Sequence, residues 1–305
     1  MEFPLLPIFL LFCFLLKGSD TSQLPAEMYW QSMLPNTPIP KALYNLIQPR
    51  TQSNFSEVEI DVGRLGQVPR RADYGVGYVN NDAHQKSNVE NSTTVYFLYN
   101  DLFPGKKMML VFTKSTNGSN FLPRKIAETI PFSSNKFSEI LNYFSIEPAS
   151  KQSQIVKQTI EECEAPGVKR EEKYCATSLE SLVDFVVAKF GKEVQALSNE
   201  AEQEDKEQKY TILKEIKMMG DDQIVCHKKR YTYAVFYCHI IMATKAYLIP
   251  LVGDNGSKAK AVVVCHTNTS SWNPGHFAFQ VLKVKPGGPP ICHFLNTDTI
   301  VWVPN

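Results

Sequence analysis

Four Cys-His dipeptides, Cys226-His227, Cys238-His239, Cys265-His266 and Cys292-His293, lie in the C-terminal part of the chain, separated by 10, 25 and 25 residues. They take four of the seven cysteines and four of the six histidines. A single such pair reads equally well as a buried thiol beside a satisfied imidazole; the fourfold repetition argues for a shared purpose. The second dipeptide ends the run Tyr231-Thr232-Tyr233-Ala234-Val235-Phe236-Tyr237-Cys238-His239, and the third ends Ala261-Val262-Val263-Val264-Cys265-His266. Both runs are rich in β-branched and aromatic residues and read as strands that are apolar on two sides. Neighbouring side chains of a strand point to opposite faces, so a Cys and the His after it do not serve one ion from one segment. The expected arrangement is therefore four sulfurs on one side and four imidazoles on the other.

The compartment decides what the sulfurs do. An apolar run from Pro4 to Leu16, followed by Lys17-Gly18-Ser19-Asp20, reads as a secretory signal peptide over residues 1–18. It is too short for a bilayer span of roughly 20 residues, although its start lacks the usual Lys or Arg. No other stretch is long or apolar enough for a transmembrane anchor. Five Asn-x-Ser/Thr triplets, at Asn54, Asn91, Asn117, Asn255 and Asn268, are candidate glycosylation sites on that route. Removal of the signal peptide takes away Cys13 and leaves an even set: Cys163, Cys175, Cys226, Cys238, Cys265 and Cys292. Cys163 and Cys175 are a local candidate pair around a charged loop, a bridge worth on the order of 3 kcal/mol. The other four allow three pairings, or act as thiolate ligands. A histidine-rich set suits Cu(II) better than Ni or Zn, whereas a thiolate-containing set suggests Zn or Cu(I).

The remaining chain reads as one domain over residues 93–305, behind a pre-domain segment and a flexible linker or propeptide over residues 19–92. Polar residues dominate from Arg50 to Asn91, which suits a protease-accessible segment. In the domain, Val95–Tyr99 and Met108–Phe112 read as strands. Asn135–Phe144 and Gln154–Cys163 read as helices, and a third helix starts near Thr177-Ser178-Leu179-Glu180, buries Leu179, Leu182, Val183, Phe185 and Val186, and ends near Gly191. The charged run Asn199–Glu207 is expected to be a solvated loop or helix face. Strands dominate after about Tyr210, with Phe277–Val284 and Ile291–Leu295 flanking the turn Lys285–Pro290. The fold class is α+β: helices in the first half of the domain and predominantly antiparallel β in the C-terminal half that carries the Cys-His motifs. The formal net charge of +1 gives no reason to expect nucleic-acid binding. Gly-x-Ser-x-Gly, His-Glu-x-x-His and phosphate-loop patterns are missing, which disfavours hydrolysis.

The Cys-His spacing resembles the signature of the plant BURP-domain family. Further support comes from Val95-Tyr96-Phe97-Leu98-Tyr99-Asn100-Asp101-Leu102-Phe103-Pro104-Gly105-Lys106, from Tyr174-Cys175-Ala176-Thr177-Ser178-Leu179-Glu180, and from Ile300-Val301-Trp302-Val303-Pro304. Tyr29-Trp30-Gln31-Ser32-Met33-Leu34-Pro35 and the residues after it resemble the unknown-seed-protein type. Where the family has Phe-Phe, this chain has Tyr96-Phe97. Some members of the family are copper-dependent peptide cyclases that join a Tyr or Trp side chain to a carbon of a core peptide. The resemblance implies copper held by His227, His239, His266 and His293, with the cysteines as disulfides or secondary ligands. It names no catalytic side chain beyond them.

The substrate would be the chain's own N-terminal peptide or a separate precursor. Tyr74-Gly75-Val76-Gly77-Tyr78 resembles a lyciumin-type core, except that the family's Gln-Pro start is Ala72-Asp73 here and its terminal Trp is Val79. The bland alternative for this segment is an unrelated linker. His276 is a further candidate ligand or a plain turn residue, and His84 falls in the linker. The competing function is a non-enzymatic secreted or vacuolar protein of seed, stress or cell wall, which would have cell-wall components as partners.

Overall fold

The computed structural model describes residues 25–47, 93–116, 119–167 and 171–305. The expected signal peptide, the candidate core peptide Tyr74–Tyr78, His84 and the triplets at Asn54, Asn91 and Asn117 lie outside the described residues. In chain order the elements are α1 (Pro25–Met33), α2 (Lys41–Ile47), β1 (Tyr96–Leu98), β2 (Lys107–Leu110), α3 (Arg124–Ala127), α4 (Phe137–Tyr143), α5 (Lys151–Glu164), β3 (Glu171–Ala176), α6 (Leu179–Phe190), β4 (Val194–Leu197), β5 (Glu200–Ala201), β6 (Gln208–Ile212), β7 (Lys217–Gly220), β8 (Ile224–Lys229), β9 (Val235–Ile241), β10 (Thr244–Gly253), β11 (Lys258–His266), α7 (Phe277–Leu282), β12 (Ile291–Phe294) and β13 (Ile300–Pro304). The α+β reading holds: helices lie mainly in the first half, and antiparallel sheet dominates the second.

Two sheets result. The larger runs β1-β12-β11-β10-β6-β2, with β5 added on β11 and β7 on β10; the smaller runs β3-β9-β8-β13-β4. Alternation along the strands builds three apolar layers. One face of the smaller sheet, through Ile224, Cys226, Phe236, Cys238, Ile300 and Trp302, packs under α1, α2 and α6. Its other face offers Val225, Val301 and Val303, which meet Ala246, Val262 and Val264 of the larger sheet. The opposite face of the larger sheet gathers Val263, Cys265 and Cys292 with Phe97, Tyr210 and Ile249.

Residues 25–47, which the sequence sets apart from the domain, contribute to its core. Trp30 is 1% exposed and lies 5.4 Å from Trp302 between ring centroids. Its indole N–H donates to the Thr37 carbonyl at 2.7 Å, and the Thr37 hydroxyl donates to the Val194 carbonyl at 2.6 Å. Tyr29 donates to Asp184 of α6, which also pairs with Arg124 at 2.7 Å. The α6 start matches expectation: Ser178 and Ser181 form a reciprocal capping box. Its end is Gly191 at φ 76°, where a side chain would be strained.

Phe185, expected in the buried stripe of α6, is only partly buried and stacks on Tyr174, and three further expectations need correction. Phe277–Val284 is not a strand: Phe277–Leu282 is the helix α7, because the His276 ring accepts the Ala278 N–H and caps it. That short helix presses Ala278 and Phe279 onto Tyr96 and Ile291. The run from Tyr231 is not strand until Val235; Tyr231 and Tyr233 instead pack against Ile140, Ile155 and Ile160 of α4 and α5. Asn199, expected to be solvated, is 5% exposed, since its amide donates to the Leu295 carbonyl and accepts the Val262 N–H. The rest of that charged run is largely at the surface, and Glu200–Ala201 pairs with β11.

Truncating Trp30 to Ala removes the centre of the first apolar layer. Denaturant unfolding with the disulfides intact should show a loss of about 3–5 kcal/mol; a loss under 1 kcal/mol would mean that the N-terminal helices merely rest on the domain.

Candidate metal centre

The Cys-His motifs fall on two strand pairs built on one plan. In the smaller sheet Cys226 of β8 stands directly opposite Cys238 of β9; in the larger sheet Cys265 of β11 stands opposite Cys292 of β12. Their Cα atoms are 3.9 and 4.0 Å apart, and both pairs are disulfides, with Cys163–Cys175 as the third. Of the three pairings the sequence left open, register selects this one. All four of these cysteines are fully buried on the sheet faces turned away from each other.

The residue after each cysteine points the other way. On β8 and β9 that places His227 and His239 on the face shared with Val225; on β11 and β12 it places His266 and His293 on the face shared with Val264. These are the faces that meet in the inter-sheet core. Within each pair the two histidines sit diagonally across the strands, and their rings close the gap. Nε2 of His227 is 3.2 Å from Nε2 of His239, and Nε2 of His266 is 3.3 Å from Nε2 of His293. Sulfur and imidazole are thus segregated within each sheet, but the four sulfurs do not share one side as expected: they lie in two apolar layers, one on the outer face of each sheet, because the motifs are divided between two sheets.

The Nδ1 atoms face outward to fixed partners. His239 Nδ1 lies 3.0 Å from the Glu171 carboxylate, and His293 Nδ1 lies 3.2 Å from the Phe294 carbonyl. Both partner oxygens accept, so both imidazoles donate from Nδ1, and in His293, which burial keeps neutral, the Nε2 lone pair turns inward. His266 Nδ1 is 3.3 Å from the Thr244 hydroxyl, and His227 Nδ1 is 3.5 Å from that of Thr299. The Thr299 segment is itself anchored, because Asp298 accepts the Ser115 and Thr116 N–H groups at 2.8 and 3.2 Å.

Burial sets the charge. His239, His266 and His293 are 3%, 6% and 5% exposed, and His227 is partly buried. Loss of water, reinforced by repulsion from His239, Lys229 and His293, holds His227 well below the ordinary imidazole range. Desolvation, then His293, His239 and His276, does the same to His266. For His293 burial outweighs the Phe294 hydrogen bond and brings the value down to about 4. His227 thus feels His293, and His266 feels His239. Both pairs lie on the faces that meet at the inter-sheet layer.

The arrangement fits a metal in its donor chemistry. Neutral imidazole nitrogens are what copper, zinc and nickel bind, and two nitrogens about 2.0–2.1 Å from one tetrahedral ion lie about 3.3 Å apart, close to both Nε2 separations. The set is two pairs and not a closed cage: among the described residues no three His, Cys, Asp or Glu side chains are grouped to hold an ion. The six disulfide-bonded cysteines offer no thiolate. His276 caps α7 through Nδ1, with its ring 4.6 Å from Trp272 and 5.7 Å from Tyr96. Trp272 also lies 4.8 Å from the His266 ring, so this aromatic group borders the larger sheet's pair.

Sequence reasoning missed Glu171, Tyr237, Thr244, Trp272 and Thr299. Tyr237 was within reach, since alternation puts it on the His239 face; Glu171 and Thr299 arrive through pairing and loop geometry that no local pattern encodes. Of the candidate glycosylation sites, Asn255 and Asn268 are exposed, and Asn255 sits in the turn joining β10 to β11.

The comparison with known proteins decides the family. A model described as "BURP domain" matches residues 95–304. The chain belongs to the BURP-domain family. It is 53% identical over 218 residues to BURP domain protein RD22 of Arabidopsis thaliana, an alignment covering 69% of this chain and 56% of that protein. BURP domain-containing protein 3 of Oryza sativa subsp. japonica is 46% identical over 235 residues, covering 75% and 54%. BURP domain-containing protein 5 from the same plant is 39% identical over 296 residues, covering 93% and 89%. The chain therefore spans a little over half the length of the first two. Its three disulfides are consistent with the secretory pathway. Among the described residues, no helix is long and apolar enough to cross a membrane.

The neutral imidazoles make metal-free stability pH-dependent. A histidine with a depressed folded pKa binds fewer protons than its unfolded counterpart between the two values, so stability rises with pH there. That contribution is complete above 6.5 and is lost as the pH falls through about 4 for His293. Urea unfolding of the metal-free protein should lose on the order of 3 kcal/mol across this window from His293 alone. His293→Asn should flatten the slope, and an equal slope in both proteins would contradict the burial account.

Proposed function

We propose that this protein is a secreted BURP-domain protein that binds copper through His227, His239, His266 and His293 and acts as a copper-dependent oxidative peptide cyclase. The observation that carries the reading is the pairing of histidines at Nε2 separations of 3.2 and 3.3 Å on the sheet faces that meet, with His227, His266 and His293 held neutral by burial. Bound copper would supply the redox chemistry that unactivated C–H bonds require and that acid–base groups cannot deliver. The chain's own part is to keep the imidazoles neutral, aim their lone pairs and exclude water. Its substrate would be a Tyr-containing peptide, either Tyr74-Gly75-Val76-Gly77-Tyr78 of its own N-terminal region or a separate precursor. Ring closure removes one hydrogen from the phenol and one from the carbon it joins, with dioxygen as the acceptor.

Burial of His239, His266 and His293 favours a second reading, a non-enzymatic secreted, vacuolar or cell-wall protein in which the metal serves stability. A peptide must come close to a centre that its own packing closes off.

Copper titration followed by aerobic incubation and digestion separates the two. Cyclisation in cis predicts a two-hydrogen mass loss in the peptide holding Tyr74 and Tyr78, and His239→Ala should lower copper occupancy along with it. Full copper loading with every peptide unmodified would remove cyclisation in cis and leave the stabilising role or action on a separate peptide, which adding a Tyr-containing peptide to the loaded protein and looking for the same mass loss distinguishes. Absence of copper binding by the wild-type protein would remove both readings of the metal.

A further inference from the structure

The edge strand β3 of the smaller sheet brings a side chain to the back of a histidine. Its register against β9 sets Glu171 opposite Ile241, Lys173 opposite His239 and Cys175 opposite Tyr237, so Glu171, Lys173 and Cys175 share the histidine face. Glu171 is 1% exposed at its side chain. Its Oε1 lies 3.0 Å from His239 Nδ1 and also accepts the Tyr237 hydroxyl at 3.0 Å. A carboxylate buried to this degree is costly without hydrogen-bonding or charged partners, and these two contacts supply them.

Two further contacts hold the strand that delivers it. Cys175 is bonded to Cys163 at the end of α5. The Lys173 ammonium donates to the Glu162 and Cys163 carbonyls at 2.8 and 3.2 Å, the helix terminus where a cation is favoured, and it lies 5.4 Å over the Tyr237 ring. Lys229, from β8, adds an ion pair to Glu162. The C-terminal end of α5 is thereby fixed to the open edge of the histidine face by a covalent bond and two cations.

We propose that Glu171 is a positioning residue for the metal centre: it fixes His239 in the Nδ1–H form with Nε2 aimed at His227, and the Cys163–Cys175 disulfide locks the edge strand that carries it. The inference deepens the copper reading and rests on it for its consequence, since a carboxylate behind a ligating imidazole sets ring orientation and raises basicity. It gives the third disulfide a role at the site although neither of its cysteines belongs to a Cys-His dipeptide. Tyr237, held by the same oxygen, fills the space beside the His239 ring at 5.5 Å between centroids.

The test uses the full chain labelled with nitrogen-15 at histidine, first without metal and then titrated with Cu(II) against a competing chelator. Wild-type His239 should show the Nδ1–H pattern of long-range couplings. Glu171→Met, which keeps length without an acceptor, should lose that pattern and weaken Cu(II) binding about 10–100-fold. Glu171→Gln, whose amide oxygen still accepts, should keep the pattern and remain within tenfold of wild type, and it stands as the measure should the Met variant fold poorly. The double change Cys163→Ser, Cys175→Ser should shift both readouts in the Met direction. An unchanged His239 pattern in Glu171→Met, or its loss in a folded Glu171→Gln, overturns the inference. A wild type that shows the expected tautomer and responds to Glu171→Met yet binds no Cu(II) sinks the copper reading while the orienting role stands.

Discussion

The architecture depends on a covalent bond between directly opposed residues of adjacent strands, used twice. Because side chains alternate with period two, a disulfide joining opposed cysteines pins the register of that strand pair, and a one-residue slip would exchange its faces. In β8–β9 and in β11–β12 the same bond therefore does two things. It places sulfur in the apolar layer away from the sheet interface, and it forces the following histidines onto the interface, diagonal to one another and within reach at their Nε2 atoms. Registry by hydrophobic pattern alone would be weaker here, since β11 is buried on both faces from Ala261 to His266 and offers little contrast between them.

Much of this was legible from local pattern. Alternation predicted the separation of sulfur from imidazole, and the repeated spacing singled out the four histidines; Ser178 and Gly191 marked the ends of α6 through capping chemistry that a few neighbouring residues determine. What failed depended on partners distant in sequence. Phe277–Leu282 carries strand-like residues, but the His276 cap and the β1–β12 surface beneath it make a helix. Tyr231 and Tyr233 suit a strand equally well, yet the groove left by α4 and α5 accepts their rings out of line. Asn199 reads as surface polar until Leu295 and Val262 supply its hydrogen bonds. Glu171 carries no local signal at all, because its role exists only through the register of β3 on β9.

The electrostatics of the centre follow from its position. Imidazoles in an inter-sheet core cannot all be charged, because water is excluded and each cation would face others; His227, His266 and His293 are accordingly held neutral. A neutral imidazole leaves one nitrogen with a lone pair. Which nitrogen that is depends on what the other one meets, and Glu171 and the Phe294 carbonyl settle it for one histidine of each pair. The acceptors come from different elements, an edge strand and a strand end, so the two sheets orient their histidines independently.

That independence puts the burden of assembly on the packing between the sheets. Each pair is complete within its own disulfide-locked strands, but a centre drawing on all four imidazoles exists only while Val225, Val301 and Val303 remain seated on Ala246, Val262 and Val264. Ala246 and the five valines form this layer together with Leu295, and Leu197, Met219 and Leu248 pack against it. Any ion gripped by nitrogens from both sheets would bind the packed arrangement in preference to the separated one, and linkage then requires that it tighten the same valine layer. The two histidine pairs share the inter-sheet faces with this layer, the disulfides fixing each half and the apolar contact joining them.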